Sequence, residues 1–395
     1  MNQLAARELI LFSLGAVAVV LVLCPLAQAA AQEKSIIAVA TVDGMPAVLD
    51  PSNVYSEAGA GHLSPAVSSA LERVYVPEIG ANRVDVIDPA TFSVVDQFGA
   101  GRKPQHIVPS WDLKTLWVAG SGRRHSRGSL TPIDPISGKP GATVRVPDAY
   151  NMYFSPDGKS AIVVAEGFKR LEFRDPQTMA LKSVLSVPQC RGINHADFSI
   201  DGRYAIFTCE FEGSLVKIDT EVPKVLGVLN LSNRGMPQDI RLSPDGKVFY
   251  VADMMADGVF LIDGDTFSEI GFVATGIAAH GLYPSRDGTE LYVSNRGSHQ
   301  VHGPSHGPGS VSVIDFSTHL VKVTWFIPAG GSPDMGNVSA DGKLLWLSGR
   351  FDNVVYAIDT STGEVKTIKV GREPHGLTVW PQPGRYSLGH TGNMR

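Results

Sequence analysis

The stretch Ser243-Pro244-Asp245-Gly246-Lys247-Val248-Phe249-Tyr250-Val251-Ala252-Asp253, followed closely by Val259-Phe260-Leu261-Ile262-Asp263, decides how this chain is read. Asp-Gly marks a tight turn. The run behind it is β-branched and aromatic, as a buried strand requires. A polar loop and a second apolar run that stops at Ile-Asp complete a unit of strand, turn, strand, loop and strand.

The unit recurs. Apolar runs end at Asp88, Asp134, Asp175, Asp219, Asp263, Asp315 and Asp359, in steps of 46, 41, 44, 44, 52 and 44 residues. Ser-Pro-Asp-Gly stands at 155–158 and 243–246, with variants ending Asp201-Gly202, Asp287-Gly288 and Asp341-Gly342. Four antiparallel strands per ~44 residues, repeated around a ring, form the blades of a β-propeller. Closing the ring removes the exposed edges that an open stack would leave. The expected fold is therefore all-β, a single propeller of seven four-stranded blades. Inner strands begin near residues 106, 151, 195, 239, 280, 334 and 375, and the first set of three outer strands begins near Arg73. A carboxy-terminal strand at His375–Val379 would complete the first blade, a lock of mixed N- and C-terminal strands. An eighth blade would need His62–Val67 and the residues after Arg385 as strands, with residues 35–58 as the outer pair. The 52-residue step places an insertion at 298–309.

Around this repeat the chain divides into a signal peptide at 1–31, an extension at 32–70, the propeller at 71–390 and a tail at 391–395. The first segment has Arg7, an apolar run from Leu9 to Leu26, and small residues at Ala27-Gln28-Ala29 or Ala29-Ala30-Ala31. That layout predicts export to the periplasm or beyond in a bacterium, with no membrane association after cleavage. An uncleaved anchor is the rival reading. In that compartment Cys190 and Cys209 read as a structural bridge or two buried thiols, with a copper thiolate or redox pair as the functional alternative. The 395 residues include 34 Lys+Arg and 39 Asp+Glu, and no basic run is present, which argues against a nucleic-acid partner. No Cys-x-x-Cys-His or P-loop occurs, and no Gly-x-Ser-x-Gly elbow on a strand-to-helix turn can be assembled from this all-β pattern, so a c-type haem, a phosphate cradle and a serine nucleophile are not indicated.

Tyr250-Val-Ala-Asp253, Leu291-Tyr-Val-Ser-Asn295, Val311-Ser-Val-Ile-Asp315 and Pro374-His-Gly-Leu-Thr-Val379 resemble the YVTN-type bacterial propeller family over roughly residues 71–380. The resemblance implies the fold and a superfamily shared with the haem-binding propeller of a nitrite reductase, lactonase-like propellers and exported binding proteins. It does not select among those functions.

Rotational symmetry is more specific. One register of successive inner strands reads His106, Asn151, His195, Asp239, His280, Asp334 and His375. The first four lie six residues before the turn and the last three lie seven before it, so a bulge must absorb the difference. Imidazole and carboxylate at one height around a channel suit a transition metal. His106, His195, Asp239, His280, Asp334 and His375 are accordingly the candidate ligands, with copper as the first expectation and zinc or calcium as the others. The far end of the next strand gives a second ring of Glu78, Glu166, Glu210, Asp253, Arg296 and Arg350. Of these, Glu210 is the candidate for proton transfer and Arg350 for holding an anion; Glu78 and Asp253 read as solvated loop charges. His299, His302 and His306 read as a flap over the funnel, Met254-Met255 as packing residues, and Arg123-Arg124-His125 as an exposed loop.

The expected function is a copper-dependent oxidoreductase acting on a small molecule or anion, with an external electron-transfer protein. It would be similar in architecture to nitrous oxide reductase and thiocyanate dehydrogenase, whose propellers hold copper near the axis. The alternatives are a non-enzymatic recognition or scaffold propeller and a lactonase-like metal-dependent hydrolase.

Overall fold

The repeated turn explains itself at atomic level in the computed structural model. In the six turns from Ser110 to Asp341 the serine hydroxyl donates to the aspartate two residues on, at 2.6–2.8 Å. The same oxygen accepts the backbone N–H five residues on, for example Val248 N at 3.0 Å. Gly246 completes the turn at φ +72°, which a side chain would oppose. At the other end of each unit the Ile-Asp carboxylate caps the turn into the outer strand, as Asp315 Oδ1 does for the N–H groups of Ser317 and Thr318. Both sequence markers are thus local hydrogen-bonding devices that hold one hairpin each.

The structure describes residues 38–40, 42, 45, 47–122, 126–302, 307–390 and 392–395. The expected signal peptide, the Arg123-Arg124-His125 loop and His306 lie outside them. Seven sheets surround a common axis. Blade 1 joins Thr378–Trp380 to Arg73–Glu78, Arg83–Asp88 and Ser93–Gly99, which is the expected lock. Blade 2 runs from Pro104–Pro109 through Leu116–Gly120 to Gly128–Asp134. Its outer strand is split into Lys139–Pro140 and Val144–Val146. The inner strands of blades 3 to 7 are Asn151–Phe154, Ile193–Phe198, Pro237–Leu242, Ala279–Pro284 and Pro333–Val338. No eighth blade is found among the described residues. Pro65–Val67 is instead a short 3-10 turn, and the residues after Arg385 turn in toward the axis.

Burial follows the radius. The strand Pro237–Leu242 is buried at every position, whereas Lys224–Asn230 alternates exposed and partly buried residues, as expected when one face meets solvent. Apolar side chains fill the gaps between blades, for instance Tyr153, Phe198, Phe207 and Val216. Residues 47–70 pack against this body rather than extending from it: Val54 and Tyr55 are buried, and Tyr55 Oη donates to Leu242 O at 2.6 Å. Cys190 and Cys209 are disulfide-bonded, settling the choice left open above. The bridge joins the loop entering the inner strand of blade 4 to the end of its neighbour.

The turn glycines give a graded test. A Cβ at Gly246 would stand 2.7 Å from Ile200 Cβ, whereas one at Gly288, also at positive φ, would meet nothing within 4 Å. Gly246→Ala should therefore cost about 3 kcal/mol, strain plus overpacking, and Gly288→Ala about 1 kcal/mol. Urea-denaturation midpoints check this; equal losses would refute the packing account.

Candidate metal centre

Backbone irregularity aims the ring residues. The register between inner strand and neighbour shifts at Pro104/His106, Ile193/Ala196, Pro237/Ile240, Ala279/Gly281 and Pro333/Gly336, so bulges fall at the ring position in five blades. A bulge bends the strand and redirects its side chain. Every residue of the expected ring, from His106 to His375, is buried.

Within that ring the side chains separate into two groups. His106 and His195 stand together, with ring centroids 5.3 Å apart, and a histidine from elsewhere joins them. The centroid of His390 lies 4.8 Å from that of His106 and 4.4 Å from that of His195. One nitrogen from each of these three residues lies within 4.8 Å of the others. Both nitrogens of His106 and Nε2 of His195 are buried without a hydrogen-bond partner, a condition native interiors rarely tolerate. Gly376 makes room for this arrangement, because a Cβ there would fall 2.0 Å from His106 Nδ1. Asn151 links the triad from beside it, with Nδ2 3.3 Å from His195 Nδ1 and 2.9 Å from His390 Nδ1.

The second group centres on Asp334. Its carboxylate lies 2.8 Å from Arg296 Nη2, 2.8 Å from His280 Nδ1 and 2.9 Å from His375 Nδ1, with Arg350 Nη1 at 3.7 Å. Burial would raise its pKa, but Arg296, His280 and His375 hold it well below the carboxylate range. Asp334 is therefore an ion-pair hub. His375 touches both groups: its ring centroid is 4.8 Å from that of His106 while Nδ1 faces Asp334. Asp239 sits on the other side, paired to Arg241 at 3.1 Å and 3.6 Å from His390 Nε2.

All five axial histidines are held below their ordinary pKa, chiefly by burial. For His106 the neighbouring imidazoles add to this, and for His280 the Arg296 guanidinium does. They are thus neutral, the form that ligates.

His390 was missed because it lies outside the repeat. Residues 385–390 and 392–395 form the two arms of a short hairpin, with Ser387 bridged to Met394, and His390 N donates to Met152 O at 3.2 Å. Residues 392–395 are no exposed tail: Asn393, Met394 and Arg395 are buried, and both Asn393 and Arg395 reach Asp197, at 2.9 and 2.8 Å. The available clue was compositional, a lone histidine in the glycine-rich Gly389-His390-Thr391-Gly392.

Of the second ring, Glu166, Glu210, Arg296 and Arg350 line the mouth. A cleft of about 1020 Å³, lined in part by Lys169, Arg191, Phe211 and Arg234, leads to a chamber of about 50 Å³. Glu210, Arg296, Arg350, Tyr150, Gln105 and Gln238 line the chamber. Burial pushes the Glu210 carboxyl up, against the pull of Gln238, Arg296 and Arg350. Tyr150 forms the partition to the triad, its ring edge-on to His106 and His195 at 5.3 and 5.9 Å. Glu78 and Asp253 are not solvated, contrary to expectation. Glu78 is buried, accepts from Gly371 N and pairs with Arg83; Asp253 accepts from the backbone N–H groups of Met236, Met255 and Ala256. Their register places them where loops need acceptors. Val301 and His302 of the insertion line both chamber and cleft, His299 Nε2 lies 2.7 Å from Asp257, and Met254 is buried beside Arg296.

The architecture defines a class: a seven-bladed propeller whose axis is lined with imidazoles and ion pairs instead of apolar side chains. Within that class the chain belongs to the YNCE-like β-propeller family, whose family model matches residues 30–383 and so stops short of His390. An uncharacterized protein of Salmonella typhi, YncE, is 24% identical over 288 residues, covering 66% of this chain and 73% of its own. The dihydro-heme d1 dehydrogenase NirN, solved in complex with DHE, superposes with a TM-score of 0.57 at 17% identity, over 78% of this chain and 75% of its own. A proposed 6-phosphogluconolactonase of Bacteroides uniformis gives 0.62 at 18% identity, over 78% and 98%. At such identities the structural likeness is one of fold.

The buried imidazoles predict acid sensitivity. The pKa of His280 falls from 6.5 to about 4 in the folded chain. Unfolded protein therefore binds a proton that folded protein refuses, and stability drops as pH falls from 6.5 toward 4, by up to about 1.4 kcal/mol per pH unit for this group. Urea midpoints across that range should fall less steeply in His280→Asn, and an unchanged slope would refute the assignment.

Proposed function

We propose that this chain is an exported metalloprotein that holds one transition-metal ion on His106, His195 and His390 and acts as an oxidoreductase on a small molecule or anion. The observation behind this reading is the convergence of three buried, neutral imidazoles, of which His106 and His195 carry unpartnered nitrogens, beside a chamber that opens to the surface. An all-nitrogen donor set favours copper or zinc, since calcium takes oxygen ligands. Bonds of about 2 Å would draw the three nitrogens closer together than they stand here. A bound copper ion would supply electron transfer and polarisation of a bound group.

The chain's own residues have separate tasks. Arg350 orients the anion, Glu210 exchanges a proton with it, and Tyr150 keeps bulk water from the triad. Asp239 lies near His390 Nε2, where it would fix that ring's orientation. Electrons would leave through a separate protein docking at the cleft face. Zinc in place of copper would favour the hydrolase reading.

Elemental analysis of untagged protein purified from the periplasm tests this. About one copper per chain is expected, falling below about a tenth in His195→Ala and His390→Ala. Metal-free, folded wild-type protein after growth with adequate metals would overturn the proposal.

A further inference from the structure

Two guanidinium groups are buried at the chamber and share one carboxylate. Arg296 is 1% exposed and Arg350 5%, and Asp334 is the acidic group both of them contact. Nε of each is buried with no hydrogen-bond partner. Unpaired N–H groups of a guanidinium are costly to bury unless an acceptor meets them. His280 and His375, which border the same pair, contribute no charge when neutral.

The other acidic groups at the chamber are Glu210 and Glu166. Glu210 is buried, which disfavours its ionised form, while the Asn194 Nδ2 donor at 3.0 Å on Oε2 and the two guanidiniums favour that form. Glu166 is partly exposed at the rim. The Tyr150 phenol stays protonated and adds a donor. At about 50 Å³ the chamber holds roughly four water-sized positions.

We infer that this chamber is a binding subsite for one small monovalent anion of about three or four heavy atoms, held between Arg296 and Arg350. The inference rests on the reading of the axis as the working site and names the substrate class it admits. It requires no metal in contact with the anion, because the Tyr150 ring stands between the chamber and His106. A tetrahedral divalent anion is both too large and too highly charged for the pair. Glu210 competes with the ligand for the two guanidiniums, so neutralising it strengthens binding.

Nitrate, planar and with four heavy atoms, is the probe. Titration calorimetry of protein as purified, in a bulky zwitterionic buffer, should show one saturable site, with sulfate at least tenfold weaker. Arg350→Gln should weaken nitrate at least tenfold and Glu210→Gln should tighten it. Circular dichroism confirms that each variant is folded. Bromide soaked into wild-type crystals supplies a check that needs no variant, with an anomalous peak expected between Arg296 and Arg350. Absent nitrate saturation, wild-type affinity in Arg350→Gln, or bromide confined to the surface would each overturn the inference. Copper without nitrate binding would defeat this subsite alone, and nitrate binding without copper would defeat only the metal proposal.

Discussion

Three residue pairs close the ring: Arg73 with Trp380, Val74 with Val379, and Tyr75 with Thr378. Without them Arg73–Glu78 would be an unpaired edge, and the inner strands would have no common axis. Bringing together segments some 300 residues apart has an entropic cost, yet that cost grows only logarithmically, about 0.6 kcal/mol per doubling of loop length. Local contacts offset it. His375 N donates to Pro77 O at 3.0 Å, Thr378 Oγ1 donates to Ile107 O, and Trp380 is 1% exposed. Closure of the fold and assembly of the axis are one event, because the chain that supplies the last inner strand also supplies His375 and, ten residues after that strand, His390.

Once closed, the ring forces polar groups into a dry interior. Burying a charge without a partner is far more expensive than any single contact can repay. The axis meets this by pairing: Asp334 with Arg296, Asp239 with Arg241, and Asp197 with Arg395. The histidines meet it differently, by remaining neutral. That leaves lone pairs and N–H groups to satisfy, and among the described histidines the deficit is largest at His106, where both nitrogens lack a partner. A chain needing only a stable plug would fill this space with leucine or phenylalanine; several polar side chains at matching positions in successive blades argue for a ligand.

The sequence made the fold legible because each marker is a local device with a local cause. The serine hydroxyl in Ser243-Pro244-Asp245-Gly246 bonds within its own turn, so its spacing survives divergence elsewhere. Ring positions were legible for the same reason: a count of six residues back from that turn locates His106, His195 and Asp239, and a count of seven locates Asp334. The phase difference between blades was visible too, but which pair of residues bulges depends on contacts between strands. Repetition cannot locate what is not repeated. His390 reaches the triad through a hairpin anchored by Asn393 and Arg395 on Asp197, nearly 200 residues away in sequence. Likewise Glu78 and Asp253 carry the charge expected at their register, while their burial follows from loops that fold over them.

The placement of Asp334 bears on how one axis can serve a cation and an anion together. Guanidinium groups near a triad of imidazoles would repel any metal held there. Asp334 stands with Arg296 and Arg350 and also contacts His375, which packs on His106. Its negative charge favours positive charge on His106, as Asp239 does for His195 from the other side. The imidazoles are thus flanked by two carboxylates and separated from the cationic chamber by one of them and by the Tyr150 ring. The same carboxylate fixes the guanidiniums that would grip an anion and screens the triad from their charge, so removing it would disturb both sites at once.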